Sequence, residues 1–201
     1  MKLFLKAGAC SLSPHIVLEE AGLSYETESV DLAKKVTASG ADYLAINPKG
    51  YVPALLLDSG ELLTEGPAIV QYLADLVPAK NLAPANGTLA RYQLQSWLTF
   101  IGTEVHKNFS PFFNPAAPAE MKDIARANLV RRLGYINEQL EGQSFLLGEN
   151  FSVADAYLFV VVGWSKYIQL DLGDWPHLTA YMTRVAARPA VQAAMKAEGL
   201  L

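Results

Sequence analysis

Short apolar strands alternate with helical patterns in the first part of the chain. Lys2 to Lys6 predicts a buried strand, and Tyr25 to Val30, rich in β-formers but weakly apolar, predicts an edge strand. Between them, Ser13 as N-cap and Pro14 as first helical residue predict a helix over His15 to Ala21 that Gly22 ends. Ala41 to Ile46 predicts a short helix. Helices between strands favour an α/β layer with at least one parallel pair.

The stretch from Val52 to Leu73 predicts a hairpin followed by a helix. Its strands are Ala54 to Leu57 and Leu62 to Thr64, and Asp58-Ser59-Gly60 between them is typical of a turn. Pro67 suits the first turn of the helix that follows, and Ala68, Ile69, Tyr72, Leu73 and Leu76 recur at helical spacing.

Two features of this stretch suit a ligand. Pro53 gives no N–H to a strand ladder, so Val52 is expected to leave a free backbone edge, which a cis Val52-Pro53 bond would hold open. Glu65-Gly66 precedes a helix, whose N-terminal N–H groups attract a carboxylate. The alternative interpretation, a hairpin and a capped helix that bind nothing, accounts for the stretch equally well.

The second part of the chain shows only helical patterns. Pro78 to Thr88, rich in Pro and Asn, predicts a linker, and we divide the chain into domains 1–79 and 88–201 with 80–87 between them. Ser152 and Asp155 have the spacing of a capping box, and the apolar helix from Val153 to about Ile168 is expected to be the buried centre of this domain. The other predicted helices are Leu89 to Phe109, Glu120 to Leu140, one after Trp175-Pro176, and Ala190 to Ala197.

Composition narrows the class of protein. The 201 residues are 51% hydrophobic and 18% charged, with a net charge of −4 and no basic run, which argues against a nucleic-acid partner. Cys10 is the single cysteine, so neither an intrachain disulfide nor a cysteine-based zinc site is expected, and we expect no metal. The N-terminus lacks the long apolar region of a signal peptide, and the run Ala156 to Trp164 is shorter than the about 20 residues that span a bilayer. We expect a cytoplasmic enzyme or binding protein without a membrane partner.

Cys10 is the first candidate for chemistry. It lies in a small-residue loop before a predicted helix N-terminus, a position that lowers the pKa of a thiol. Cys10-Ser11-Leu12-Ser13 has C-x-x-S spacing, as in a thioredoxin-type loop whose resolving cysteine is a serine, so an external thiol would resolve any disulfide. A lone cysteine is more commonly buried and inert. The loop position favours a functional role here.

His106 is the second candidate. Its unperturbed pKa near 6.5 suits a general acid–base group, although a lone histidine on a helix more often caps or packs. Several aromatic side chains of this domain are candidates either for an apolar pocket or for the core: Phe109, Phe112, Phe113, Tyr157 and Trp164.

The chain resembles the cytosolic glutathione transferases, and within them the bacterial beta class. The matching segments, in order, are KLFLKAGACSLSPHI, VDLAKK, NPKGYVPALLLDSGELLTEGPAIVQYLAD, TEVHK and FSVADAYLF. They span nearly the whole chain, and Cys10 with the pair His106-Lys107 indicates the beta class. The resemblance implies a glutathione transferase fold: an α/β thioredoxin-like N-terminal domain, an all-α C-terminal domain, and glutathione bound between them.

The resemblance also implies roles for individual residues. Val52, before a cis-Pro53, would pair with the cysteinyl part of glutathione. The implied catalytic residues are Cys10, His106 and Ser11. The implied glutathione-binding residues are Lys35, Tyr51, Val52, Pro53, Glu65 and Gly66, together with Thr99, Thr103 and Glu104 from the partner subunit of a homodimer. The implied electrophile pocket consists of Ala9, Lys107, Phe109, Phe113, Tyr157 and Trp164.

The sequence departs from the family pattern at several positions. Gly66 stands where many members have Ser, and Thr99 stands where some beta-class relatives have Asn. No tyrosine precedes Tyr25, so the thiol-activating tyrosine of the animal classes has no counterpart, and Ser11 is a further candidate donor beside Cys10.

Three functions follow from the resemblance. The first is conjugation of the glutathione thiol to hydrophobic, electrophilic small molecules, as in xenobiotic detoxification or dehalogenation. The second is thiol–disulfide exchange through a mixed disulfide of Cys10. The third, a non-catalytic binding or regulatory module, would need none of Cys10, Glu65 and His106.

Overall fold

The computed structural model describes residues 1–201 and divides into two compact units. The first unit comprises residues 1–83 together with 187–201, and the second comprises residues 84–186. The first contains a five-stranded sheet, and the second is built from helices. The predicted succession of an α/β layer and an all-α region is therefore confirmed.

The sheet of the first unit is mixed. Its strands are β1 (Lys2–Leu5), β2 (Glu26–Asp31), β3 (Val36–Thr37), β4 (Ala54–Leu56) and β5 (Leu62–Thr64), in the order β3-β2-β1-β4-β5. The pair β1 and β2 is parallel, as predicted, and every other pair is antiparallel. The prediction that Tyr25 to Val30 forms an edge strand is wrong, because β3 pairs with Val30 and Asp31 and occupies the edge itself.

The helices of the first unit are α1 (Leu12–Ala21), α2 (Tyr43–Ile46) and α3 (Gly66–Leu76). Helix α1 begins three residues before the predicted His15, with Ser11 and not Ser13 at the N-cap position. The Ser13 hydroxyl donates to the Cys10 carbonyl at 2.8 Å. Pro14 thus lies in the first turn, where a missing N–H leaves no intrahelical bond unmade. Gly22, in the left-handed conformation at φ 68°, ends α1 as predicted.

The C-terminal segment packs in the first unit. Helix α9 (Pro189–Ala197) lies against α1, and Glu198 accepts hydrogen bonds from the Gly8 N–H at 2.9 Å and from His15 Nδ1 at 2.8 Å. Arg188 pairs with Glu20 of α1 at 2.5 Å. The predicted domain 88–201 includes this segment. In the structure, its charged residues Arg188 and Glu198 bond residues of the first unit.

The second unit begins with a long helical segment of changing geometry. Helix α4 (Leu89–Phe100) continues as a π-helical turn over Ile101–His106 and then as α5 (Lys107–Phe113). The predicted helix Leu89 to Phe109 therefore runs four residues further than predicted, past Pro111. The remaining helices are α6 (Ala119–Gln139), α7 (Val153–Val162), a 3₁₀ turn over Gly163–Ile168, and α8 (Pro176–Ala186).

Helix α7 forms the core of the second unit, as predicted. All its residues are buried, and the predicted capping box is present at its N-terminus. Asp155, which is fully buried, accepts hydrogen bonds from the Ser152 N–H at 2.8 Å, the Leu146 N–H at 2.9 Å and the Tyr181 hydroxyl at 3.1 Å. Burial raises the pKa of Asp155, and these donors oppose that rise. Among the helices, none combines the length and the apolar character that crossing a bilayer requires.

Candidate functional site

Cys10 lies in the loop between β1 and α1, two residues before the helix begins. Its side chain is half-buried, and the thiol donates to the Val52 carbonyl at 3.4 Å. The Val52-Pro53 peptide bond is cis, as predicted. The structure thus brings Cys10 beside the backbone that the sequence singled out.

Around Val52, the preceding carbonyl is hydrogen-bonded within the chain, whereas the Val52 N–H is not. The carbonyl of Tyr51 accepts hydrogen bonds from the Tyr43 hydroxyl at 2.9 Å and from Asn47 Nδ2 at 2.8 Å. The Val52 N–H makes no hydrogen bond within the chain, although the residue is only 4% exposed. Since a buried N–H normally has a partner, this group fits a ligand that offers a carbonyl, as an extended peptide does.

Glu65 and Gly66 form the N-terminus of α3. Glu65 adopts a positive φ of 70°, and the Gly66 N–H makes no hydrogen bond within the chain. Gly66 also lies close to Pro53, because a Cβ at this position would be 3.8 Å from Pro53 Cγ. An N–H at a helix N-terminus attracts an anion, so this position fits a ligand carboxylate.

The carboxylate of Glu65 belongs to an exposed ion cluster of Lys49, Tyr51 and Glu65. Lys49 Nζ lies 2.5 Å and the Tyr51 hydroxyl 2.6 Å from the same Glu65 oxygen. These contacts raise the pKa of both Lys49 and Tyr51, because each donates to a negative charge. Lys35, a predicted binding residue, donates to the Gly50 carbonyl at 2.7 Å and so lies beside this stretch.

Ser11 and Ala9 complete the predicted residues of this unit. The Ser11 hydroxyl is fully buried; it accepts from the Lys6 N–H at 3.1 Å and donates its single proton to the Lys6 carbonyl at 3.2 Å. In the structure the Ser11 hydroxyl therefore bonds within the loop, and its role as a donor to the glutathione sulfur stays a prediction. Ala9 is half-buried and packs on the core of the unit.

In the second unit, His106 belongs to an aromatic cluster of His106, Phe109, Phe113, Tyr157 and Trp164. Its Nδ1 atom lies 2.7 Å from the Tyr157 hydroxyl, and its ring packs edge-on against Trp164 with centroids 4.8 Å apart. Burial, and secondarily the charge of Lys107, lower the pKa of His106 to about 4. His106 is therefore neutral at pH 7.

The other predicted pocket residues differ in accessibility. Phe109 is fully buried and Trp164 is 6% exposed, whereas Phe113 is 51% exposed and Lys107 is also exposed. Phe109 and Phe113 both meet the Trp164 ring edge-on, at 5.8 and 5.6 Å. Within this unit, Phe113 and Lys107 are the predicted pocket residues that offer the most surface to a ligand.

The predicted partner-subunit residues lie on α4 and the π-helical turn. Thr99 and Thr103 are exposed, and the Thr103 hydroxyl donates to the Thr99 carbonyl at 3.0 Å. Glu104 pairs with Arg132 of α6 at 2.5 Å. One oxygen of the Glu104 carboxylate is thus used by Arg132.

Sequence reasoning misses three contacts of the predicted residues. Two of them are ion pairs, Lys49 with Glu65 and Arg132 with Glu104. The sequence does not predict either pair, because a charged residue in a polar stretch has many candidate partners. The sequence predicts Tyr157 only as part of a pocket wall, although its hydroxyl bonds His106. No group of three or more His, Cys, Asp or Glu residues is arranged to hold a metal ion.

Comparisons with known proteins agree with this arrangement. Residues 7–76 match the model for the glutathione S-transferase N-terminal domain, and residues 100–189 match that for the C-terminal domain. The chain is 51% identical over 200 residues to glutathione S-transferase GstA of Escherichia coli O157:H7, covering 100% of both chains.

Two solved structures superpose over 100% of both chains. A bacterial beta class glutathione S-transferase of Sphingomonas chungbukensis is 49% identical with a TM-score of 0.97. A sphingomonad glutathione S-transferase complexed with glutathione is 51% identical with a TM-score of 0.96.

Proposed function

Because this chain belongs to the glutathione S-transferase family, as an enzyme of the bacterial beta class, we propose that it joins the glutathione thiol to hydrophobic, electrophilic small molecules. The observation that carries the proposal is the pair of backbone N–H groups at Val52 and Gly66, which have no partner within the chain. One suits the peptide carbonyl and the other the γ-glutamyl carboxylate of glutathione. Detoxification of xenobiotics, including dehalogenation, is the role we assign to this reaction.

The proposed glutathione site uses the residues that the family resemblance implies. Glu65 binds the γ-glutamyl amine, Lys35 and Tyr51 lie near the glycine carboxylate, and Cys10 lies beside the glutathione sulfur. Val52, Pro53 and Gly66 contribute backbone and shape. The partner subunit of a cytoplasmic homodimer supplies Thr99, Thr103 and Glu104.

Conjugation requires the thiolate of glutathione, and His106 is the donor that we propose for it. A neutral imidazole carries one N–H, which can stabilise a sulfur anion where that charge develops. The exposed members of the aromatic cluster, with Lys107 and Ala9, are proposed to contact the electrophile.

Glu65→Gln tests the glutathione site. A charged amine that loses its ionic partner in a desolvated site costs about 2–5 kcal/mol of binding free energy. Calorimetry with glutathione should therefore show much weaker binding, whereas Glu61→Gln, in the neighbouring hairpin, should bind normally. Equal affinity of the Glu65→Gln variant and the wild type would remove Glu65 from the site.

A second candidate function is disulfide exchange, favoured by the position of Cys10 before α1. The Cys10 thiolate attacks the glutathione sulfur of a mixed disulfide, forms a Cys10–glutathione disulfide and releases the other thiolate. A second glutathione thiolate then attacks this disulfide, which regenerates Cys10 and yields oxidised glutathione.

The two reactions are separated by Cys10→Ala and His106→Ala. We expect Cys10→Ala to abolish exchange and the glutathione adduct seen by mass spectrometry while sparing much of conjugation. His106→Ala should slow conjugation at a nearly constant KM for glutathione, the mark of an interaction made in the transition state. Equal loss of both reactions in Cys10→Ala would make Cys10 central to conjugation and end this division of roles.

The substrate class is tested by one screen of the purified protein with glutathione and three kinds of substrate: halogenated aromatics, epoxides and glutathione mixed disulfides. Turnover of the first two supports conjugation, and turnover of the third supports exchange. Retention on glutathione-agarose without turnover of any would favour a non-catalytic module.

A further inference from the structure

The two ring nitrogens of His106 have different surroundings. Nδ1 lies 2.7 Å from the Tyr157 hydroxyl of α7, whereas Nε2 has no hydrogen-bond partner within the chain. Edge-on contacts with Trp164 and with Tyr157, at 4.8 and 5.9 Å between centroids, fix the plane of the imidazole. The ring is thus held with one nitrogen bonded and the other available.

The direction of the Tyr157–His106 hydrogen bond follows from the chemistry of the two groups. A neutral imidazole has one donor nitrogen and one acceptor nitrogen, and a phenol can both donate and accept. An imidazole nitrogen is a stronger base than a phenol oxygen, and a phenol O–H is a stronger acid than an imidazole N–H. On these grounds we expect the tyrosine to donate to Nδ1, which would leave the imidazole proton on Nε2.

We propose that Tyr157 is a positioning residue: its hydroxyl holds His106 in the Nε2–H form, so that Nε2 donates to the glutathione sulfur. The proposal rests on the proposed function, in which His106 stabilises the thiolate. It assigns to Tyr157 a task distinct from lining the electrophile pocket, because the hydroxyl acts on His106 and not on the substrate.

The Tyr157 hydroxyl also lies next to Gly102 of the π-helical turn. Gly102 and His106 lie four positions apart on the π-helical turn, and a Cβ at Gly102 would be 3.7 Å from the Tyr157 hydroxyl oxygen. The hydroxyl thus approaches the turn closely at Gly102 while it bonds His106. Tyr157 itself is 4% exposed, so water does not readily replace the phenol as the partner of Nδ1.

Nitrogen-15 NMR of the histidine side chains tests the tautomer directly. The chain has three histidines, so the His106 signals are identified by their loss in His106→Gln. In the wild type at neutral pH we expect a bare Nδ1 and a protonated Nε2. In Tyr157→Phe we expect a mixture of both tautomers. The control is Tyr167→Phe, which changes an exposed tyrosine of the same unit and should keep the wild-type pattern.

Two results would overturn the role of Tyr157. One is a wild-type His106 with its proton on Nδ1, a measurement that needs no variant to fold. The other is a folded Tyr157→Phe whose His106 keeps the wild-type tautomer. Neither depends on glutathione chemistry.

Kinetics then separate positioning from packing. We expect kcat for conjugation to fall about two- to threefold in Tyr157→Phe at an unchanged KM for glutathione, because only the part of the His106 population that carries its proton on Nε2 can donate to the sulfur. An equal loss in Tyr167→Phe, or a loss confined to KM, would overturn the positioning role. Normal conjugation in His106→Ala would instead overturn the donor role of His106, and with it that part of the proposed function.

Discussion

The two groups of candidate residues differ in what presents chemistry to a ligand. In the first unit the proposed ligand-binding groups are the backbone N–H groups of Val52 and Gly66, and the ion cluster of Lys49, Tyr51 and Glu65 lies near them at the surface. In the second unit the proposed group is a side chain, His106, which packs in the aromatic cluster. The first arrangement depends on the path of the chain, whereas the second depends on the identity of neighbouring side chains.

This difference determines how strongly substitutions at each group should change the stability of the fold. Exposed charges contribute little to folding, because water solvates them and salt screens them. A buried aromatic side chain contributes both transfer free energy and packing, so its removal leaves a cavity. We therefore expect the stability of the second unit to be coupled to its candidate site, and that of the first unit to be nearly independent of the exposed ion cluster.

Trp164→Ala should have the largest effect. Trp164 is 6% exposed and touches His106, Phe109 and Phe113, so its truncation should lower the free energy of unfolding by about 3–5 kcal/mol. Chemical denaturation measures this loss. The control Tyr167→Ala, at a 54% exposed position nearby, should lose far less, and equal losses would show that the aromatic cluster is not a packing unit.

Acidification should destabilise the protein through His106. Its pKa is about 4 in the fold and 6.5 in the unfolded chain, so between these values the unfolded state binds more protons. The stabilising effect is therefore present above pH 6.5 and is lost as the pH falls towards 4, by about 3 kcal/mol in total.

Denaturation of the wild type and of His106→Gln at a series of pH values measures this contribution. The difference between the two proteins should shrink from pH 7 to pH 4. A difference that stays constant would mean that His106 titrates alike in the folded and unfolded states.

Gly66→Ala sharpens the first half of the comparison. The added Cβ would meet Pro53 Cγ at 3.8 Å, an ordinary contact, and the N–H would stay in place. Since the proposed ligand-binding group is the backbone N–H, glutathione affinity by calorimetry should change by less than about twofold, well under 1 kcal/mol. A large loss would show that close approach to the glycine itself, and not its N–H, governs binding.

Lys49→Met should have the smallest effect. Lys49 pairs with Glu65 at 2.5 Å, but both side chains are about half exposed, at 46% and 53%. We expect the denaturation midpoint to match that of the wild type and to be equally insensitive to salt. A marked loss of stability would show that the exposed ion cluster stabilises the fold, contrary to this prediction.

The sequence by itself determined the features whose signals are local. Gly22 ends α1 because glycine adopts the left-handed conformation readily, and the hairpin of β4 and β5 forms around a turn-favouring Asp-Ser-Gly. The spacing of Ser152 and Asp155 predicted the capping box of α7, since both partners lie within one helical turn. The backbone groups of Val52 and Gly66 are predictable for the same reason, because neighbouring residues in the chain carry each signal.

Only the tertiary structure decided which distant groups meet. The bond between His106 and Tyr157 joins residues 51 positions apart, and that between His15 and Glu198 joins residues 183 positions apart. The edge position of β3 likewise depends on packing, whereas the exposed pair of Lys49 and Glu65 meets only because the path of the chain brings the two residues together. A polar side chain has many partners of suitable chemistry in the sequence, and burial selects among them, because a buried polar group without a hydrogen bond destabilises the fold.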